Sequence, residues 1–134
     1  MLEVVEMIGP GQETVGKELV LDIHQCNSDK FSRESLEEFL ITLCDEIKMQ
    51  RKELFVWEYQ SDPDKTDEEM EHLAGFSMVL FLVTSNITLH SWENSRKISL
   101  NIFSCKDYPV ESTEEFCANW FSGEIRNSQC FFRY

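Results

Sequence analysis

The chain has 134 residues, 42% of them hydrophobic, with 10 phenylalanines and a formal net charge of −13. That is the length of one domain, able to bury a core without disulfide or metal staples. The acidic balance argues against nucleic acid and anionic membrane surfaces, which both reward positive charge, and is compatible with a cationic small ligand.

Residues 1–15 read as an N-terminal extension, broken by Gly-Pro-Gly at Gly9 to Gly11, ahead of a single domain over 16–134. Acidic residues stand where a signal peptide carries basic ones, and no apolar run approaches the roughly 18 residues of a membrane span. A soluble, cytoplasmic protein is expected. "KELVLDIHQC" (Lys17 to Cys26) predicts a first strand, with Leu19, Leu21 and Ile23 on one face. Ser32 can cap a helix from about Arg33 to Gln50, whose stripe is Leu36, Phe39, Leu40, Leu43, Cys44 and Ile47. Lys48 in its last turn suits the helix dipole. "ELFVWEYQ" (Glu53 to Gln60) is a second strand, rich in aromatic and branched residues. The acidic run Ser61 to His72 reads as a wet loop.

"GFSMVLFLVTS" (Gly75 to Ser85) predicts a third strand, apolar on both faces and so central in its sheet. "ITLHSW" and "KISLNIFSC" (Lys97 to Cys105) form a hairpin across "ENSR". "STEE" from Ser112 reads as a capping box before a second helix carrying Phe116, Cys117, Trp120 and Phe121 on one face. "SQCFFRY" can form a last strand. The expected fold is α+β, a two-layer sandwich with two helices on one face of a mainly antiparallel sheet.

Five cysteines, an odd number without C-x-x-C spacing, and three histidines predict neither a disulfide framework nor a metal site. Taken singly, Ser85 is an ordinary polar strand end, His90 a hydrogen-bonded rim residue and Cys105 a buried thiol. Trp57, Tyr59 and Trp92 are ordinary packing. The joint spacing is the specific signal: five residues from Ser85 to His90, and fifteen from His90 to Cys105.

With "GKELVLDIHQC", "SNITLHSW" and "ISLNIFSC", this spacing resembles the small prokaryotic-type S-adenosylmethionine decarboxylases, which are pyruvoyl enzymes. The resemblance implies that the Ser85 hydroxyl attacks the Thr84 carbonyl, that the chain is cut between Thr84 and Ser85, and that Ser85 becomes the pyruvoyl cofactor. It gives proton abstraction during processing to His90. The pyruvoyl ketone then forms a Schiff base with the amine of S-adenosylmethionine, carbon dioxide leaves, and Cys105 reprotonates the carbon. Tyr59 matches a family position that supplies a ring to the substrate, with Trp57 and Phe103 as further aromatic candidates. Glu93 stands for the family's ribose-holding glutamate. A homodimer is expected by the same analogy, with a role in polyamine synthesis.

The sequence departs from the family pattern at Thr84, where the family has Glu, at Asn86, where it has His, and at Glu93-Asn94, where it has Pro-Glu. Two alternatives therefore stand beside the main reading. One is a pyruvoyl decarboxylase of another amino acid, arginine or ornithine. The other is an unprocessed homologue that binds a ligand or partner. In a regular strand Ser85 and His90 face opposite ways, so their convergence requires a kink or bulge between them.

Overall fold

The computed structural model describes residues 13–59 and 74–134. The acidic loop expected at 61–72, and all of the extension before residue 13, lie outside them. In chain order the described elements are β1 (Gly16–His24), α1 (Arg33–Glu46), β2 (Arg51–Tyr59), β3 (Gly75–Leu82), β4 (Ser85–Trp92), β5 (Lys97–Ser104), α2 (Val110–Phe121) and β6 (Glu124–Arg133). The strands form one antiparallel sheet in the order β2-β3-β4-β5-β1-β6. The expected α+β sandwich is therefore the observed one.

Period-2 alternation sets the layers. Leu19, Leu21 and Ile23 of β1, Met78 and Leu80 of β3, Ile87 and Leu89 of β4, and Ile98, Leu100 and Ile102 of β5 are buried together with the helices. From the helices come Leu36, Phe39, Leu40 and Leu43 of α1 and Cys117 and Phe121 of α2. Phe39 is the joint between them, its ring centroid 4.7 Å from that of Phe121 and 5.7 Å from that of Trp120. The other sheet face bears no helix among the described residues. It carries Phe55, Trp57 and Phe81, which are 56%, 70% and 45% exposed, alongside polar residues such as Asn86, Thr88 and Asn101.

Four details differ from the sequence reading. Helix α1 ends at Glu46, because Lys48 turns into the left-handed region at φ 58° and the Met49 N–H closes on the Cys44 carbonyl; Lys48 is thus past the last turn. At its start Ser32 does cap, accepting the Ser35 N–H at 3.1 Å. Helix α2 begins at Val110 behind Pro109, so Ser112 lies inside the first turn and makes no capping box. Strand β6 starts earlier than expected, at Glu124, because pairing with β1 extends it. Strand β3 stops at Leu82; it lies second from the sheet edge, while β4 and β5 occupy the middle.

The last change matters most. The chain turns over through Val83 and Thr84, with Leu82 paired to Ser85. Ser85 therefore opens β4 instead of ending β3.

Candidate active site

Ser85 is 8% exposed and points to the helix side of the sheet with Ile87 and Leu89. The neighbouring end of β5 brings Ser104 and Cys105 beside it. Ser85 Oγ donates to Ser104 Oγ at 3.3 Å and accepts the Cys105 N–H at 3.3 Å. Its distance to Cys105 Sγ is 4.0 Å. Ser104 Oγ in turn accepts the Lys106 N–H at 2.9 Å, which holds the loop after β5 in place.

Thr84 completes this cluster. Its hydroxyl donates to the Val83 carbonyl at 2.6 Å and lies 2.7 Å from Cys105 Sγ. A hydroxyl has one proton, so the thiol is the donor in the second contact. Cys105 Sγ also lies 3.5 Å from the Thr84 carbonyl oxygen. An open cleft of about 440 Å³ runs alongside, walled by Lys48, Met49, Val83, Thr84, Ser85 and Lys106. A nucleophile, a thiol and the carbonyl preceding the nucleophile thus share one end of the sheet.

His90 is elsewhere. The pairing of β4 with β3 and with β5 is continuous from Asn86 to His90, with neither the kink nor the bulge expected from sequence. In such a strand the two residues sit on opposite faces, roughly 16 Å apart. His90 lies on the open face, where Nδ1 is 2.6 Å from Ser77 Oγ. Ser77 also hydrogen-bonds the Tyr59 hydroxyl. The His90 ring stacks on Trp92 with centroids 6.2 Å apart, and Trp92 Nε1 donates to Ser99 Oγ at 3.0 Å. A smaller cleft of about 250 Å³ adjoins His90, with Asp22, Thr88 and Asn101 in its walls.

The candidate residues therefore fall into two groups. Thr84, Ser85 and Cys105 meet at one end of β4. Tyr59 and His90 are joined through Ser77 toward the other end. Glu93 stands in the hairpin turn beyond Trp92, its N–H on the Ala74 carbonyl, and does not approach Ser85. Trp57 pairs with Ser77 across the open face, and Phe103 with Asn86.

Ser77 is one of two residues that sequence reasoning missed. Its signal is a hydroxyl interrupting the apolar run "GFSMVLFLV" at an open-face position. Ser104 was missed for the opposite reason: it is fully buried, and a serine before a cysteine carries no motif of its own.

A six-stranded antiparallel sheet, covered on one face by two helices and carrying a serine–thiol pair at one strand end, describes an α+β sandwich with a candidate nucleophile beside a cleft. The S-adenosylmethionine decarboxylase family model matches residues 17–133, and the chain belongs to that family. Membership supports decarboxylation as its chemistry. The crystal structure of the adenosylmethionine decarboxylase from Aquifex aeolicus has a similar fold, with a TM-score of 0.72 at 18% sequence identity over 91% of this chain and 92% of that one. No curated protein sequence matches this chain.

Proposed function

We propose that the chain is a self-processing, pyruvoyl-dependent decarboxylase of S-adenosylmethionine that works as a homodimer. The observation that carries this reading is the Cys105 thiol standing 4.0 Å from the Ser85 hydroxyl and 3.5 Å from the carbonyl oxygen of the preceding Thr84. Processing starts when Ser85 Oγ attacks the Thr84 carbonyl carbon. The C–N bond breaks, an ester forms, and the hydroxyl proton ends on the Ser85 nitrogen. Removal of the Ser85 α-proton then expels the Thr84 carboxylate and leaves dehydroalanine. Water converts this to a pyruvoyl group and ammonia.

The residues around Ser85 fit such a group. They supply a polar N–H from Cys105, a hydroxyl from Ser104 and an open cleft for substrate. In place, the group supplies a ketone that condenses with the substrate amine and accepts electrons as carbon dioxide leaves. Cys105 holds the proton returned to the substrate carbon; a thiol is a weak acid suited to that step. Tyr59, Trp57 and Glu93 lie away from Ser85 of their own protomer, so their aromatic faces and carboxylate are assigned, like His90, to the adenine, sulfonium and ribose of substrate held at Ser85 of the second protomer. Decarboxylated S-adenosylmethionine is an aminopropyl donor, which gives the chain a role in polyamine synthesis.

His90 takes the α-proton in this reading. With Nδ1–H given to Ser77 Oγ, Nε2 is free to accept. His90 and Ser85 of one protomer lie on opposite faces, so His90 is assigned to Ser85 of a second protomer.

Intact mass tests processing. Two fragments are expected, residues 1–84 and 85–134, the second blocked at its N-terminus; Ser85→Ala stays whole. A full-length parent chain would favour the unprocessed binding homologue, for which Thr84 and Asn86 in place of the family residues speak. Carbon dioxide release from labelled S-adenosylmethionine should exceed that from arginine or ornithine. Co-expression tests the shared site: Ser85→Ala and His90→Ala chains, each uncut alone, should give cut His90→Ala chains when mixed. If mixing restores no cleavage, the assignment of His90 across protomers is wrong.

A further inference from the structure

The turn joining β3 to β4 has two residues, Val83 and Thr84, between the paired Leu82 and Ser85. Thr84 takes φ 58°, in the left-handed region, whereas Val83 does not. Short hairpins fill such a position with glycine or asparagine, because a Cβ there crowds the backbone. A β-branched residue is the least suited to it. Here it is held from several sides. The Val83 N–H is on the Gln50 carbonyl at 3.3 Å, the Thr84 hydroxyl is on the Val83 carbonyl, and the Cys105 thiol is against the Thr84 hydroxyl. Strain of this kind persists only where its surroundings over-determine it.

We propose that the left-handed backbone of Thr84 is a spring for chain cleavage: it raises the intact Thr84–Ser85 amide in free energy and so speeds its conversion to the ester. The inference rests on the self-processing reading above. The strained residue owns the carbonyl that Ser85 Oγ attacks. When the amide C–N bond breaks and the Thr84 C–Ser85 Oγ bond forms, the hairpin is no longer closed through the backbone at that point. Thr84 can then leave the left-handed region. The reaction thus releases strain at the atom where it occurs. The closed hairpin and the Val83 N–H on the Gln50 carbonyl keep the residue from relaxing beforehand.

The test is the rate at which freshly made full-length chain is cut, followed by intact mass, in the parent and in three variants at Thr84. Thr84→Gly removes the penalty and should cleave about tenfold more slowly, the factor that a left-handed penalty of this class represents. Thr84→Asn, which tolerates the region better than threonine, should fall between glycine and the parent. Thr84→Val keeps the β-branch without the hydroxyl and should cleave faster than Thr84→Gly. Circular dichroism establishes that each variant folds; if the glycine chain does not, the order of valine, asparagine and parent decides. Glycine cleaving as fast as the parent overturns the spring, as does valine no faster than glycine or asparagine. A parent chain that is never cut overturns the processing reading and this inference together, which separates the two failures.

Discussion

Cys105 and its four counterparts differ by environment, not by type. Cys26, Cys44 and Cys117 are fully buried, whereas Cys105 is exposed at the end of β5. Burial pushes the Cys26 thiol up to about 11 and the Cys117 thiol up to about 12, and it raises Cys44 as well. Cys130 is exposed as a residue, yet desolvation of its thiol still raises it. Thiolate is the reactive form, so iodoacetamide at pH 8 should modify Cys105 first, read by peptide mass mapping. Labelling of Cys117 before Cys105 would contradict the buried and exposed assignments. Before folding is known these cysteines look alike, and only spacing to Ser85 and His90 singles one out. The Ser77–His90 contact could not be read the same way. It joins residues thirteen apart through the cross-strand pairing of β3 and β4, and a single strand's pattern does not specify its neighbour's register.

The elements themselves follow local rules, and their joints can be tested. Phe39 of α1 packs against Phe116, Trp120 and Phe121 of α2. Phe39→Ala should cost about 4 kcal/mol in a denaturant titration, as large-to-small changes at a filled joint do. Gly75 opens β3 with φ 143°, and a Cβ there would stand 1.9 Å from the Ser91 carbonyl oxygen. Gly75→Ala should therefore destabilise the β3–β4 pair and with it the Ser77–His90 contact, visible as a lowered melting temperature. The amphipathic stripe of α1 and the alternation of β1, β4 and β5 were legible because burial of one face leaves a period in the sequence. Element ends were less so. The stops of α1 and β3 depend on left-handed residues at Lys48 and Thr84, neither of which is glycine.

At the scale of the molecule, the same buried thiols set a pH limit. Cys26 and Cys117 have an ordinary value of 9.0 and hold their protons to about 11 and about 12 when folded. Between those values the unfolded chain has released protons that the folded chain retains, so unfolding is favoured as pH rises. Tyr108, buried and pushed up in the same direction, adds to the effect. Thermal melts should show a midpoint that falls progressively above pH 9; a flat profile from pH 8 to 11 would contradict it. The sequence by itself determined the sandwich class, the apolar layer and the chemical types spaced along β4 and β5, because these follow from side-chain period and spacing. Only the tertiary structure decided that Ser85 and Cys105 meet while His90 faces the other way, that Ser77 links the imidazole to Tyr59, and that Thr84 carries the strained turn. Those features arise from strand register and hairpin closure, where distant residues become neighbours and the chain's path overrides each residue's own preference.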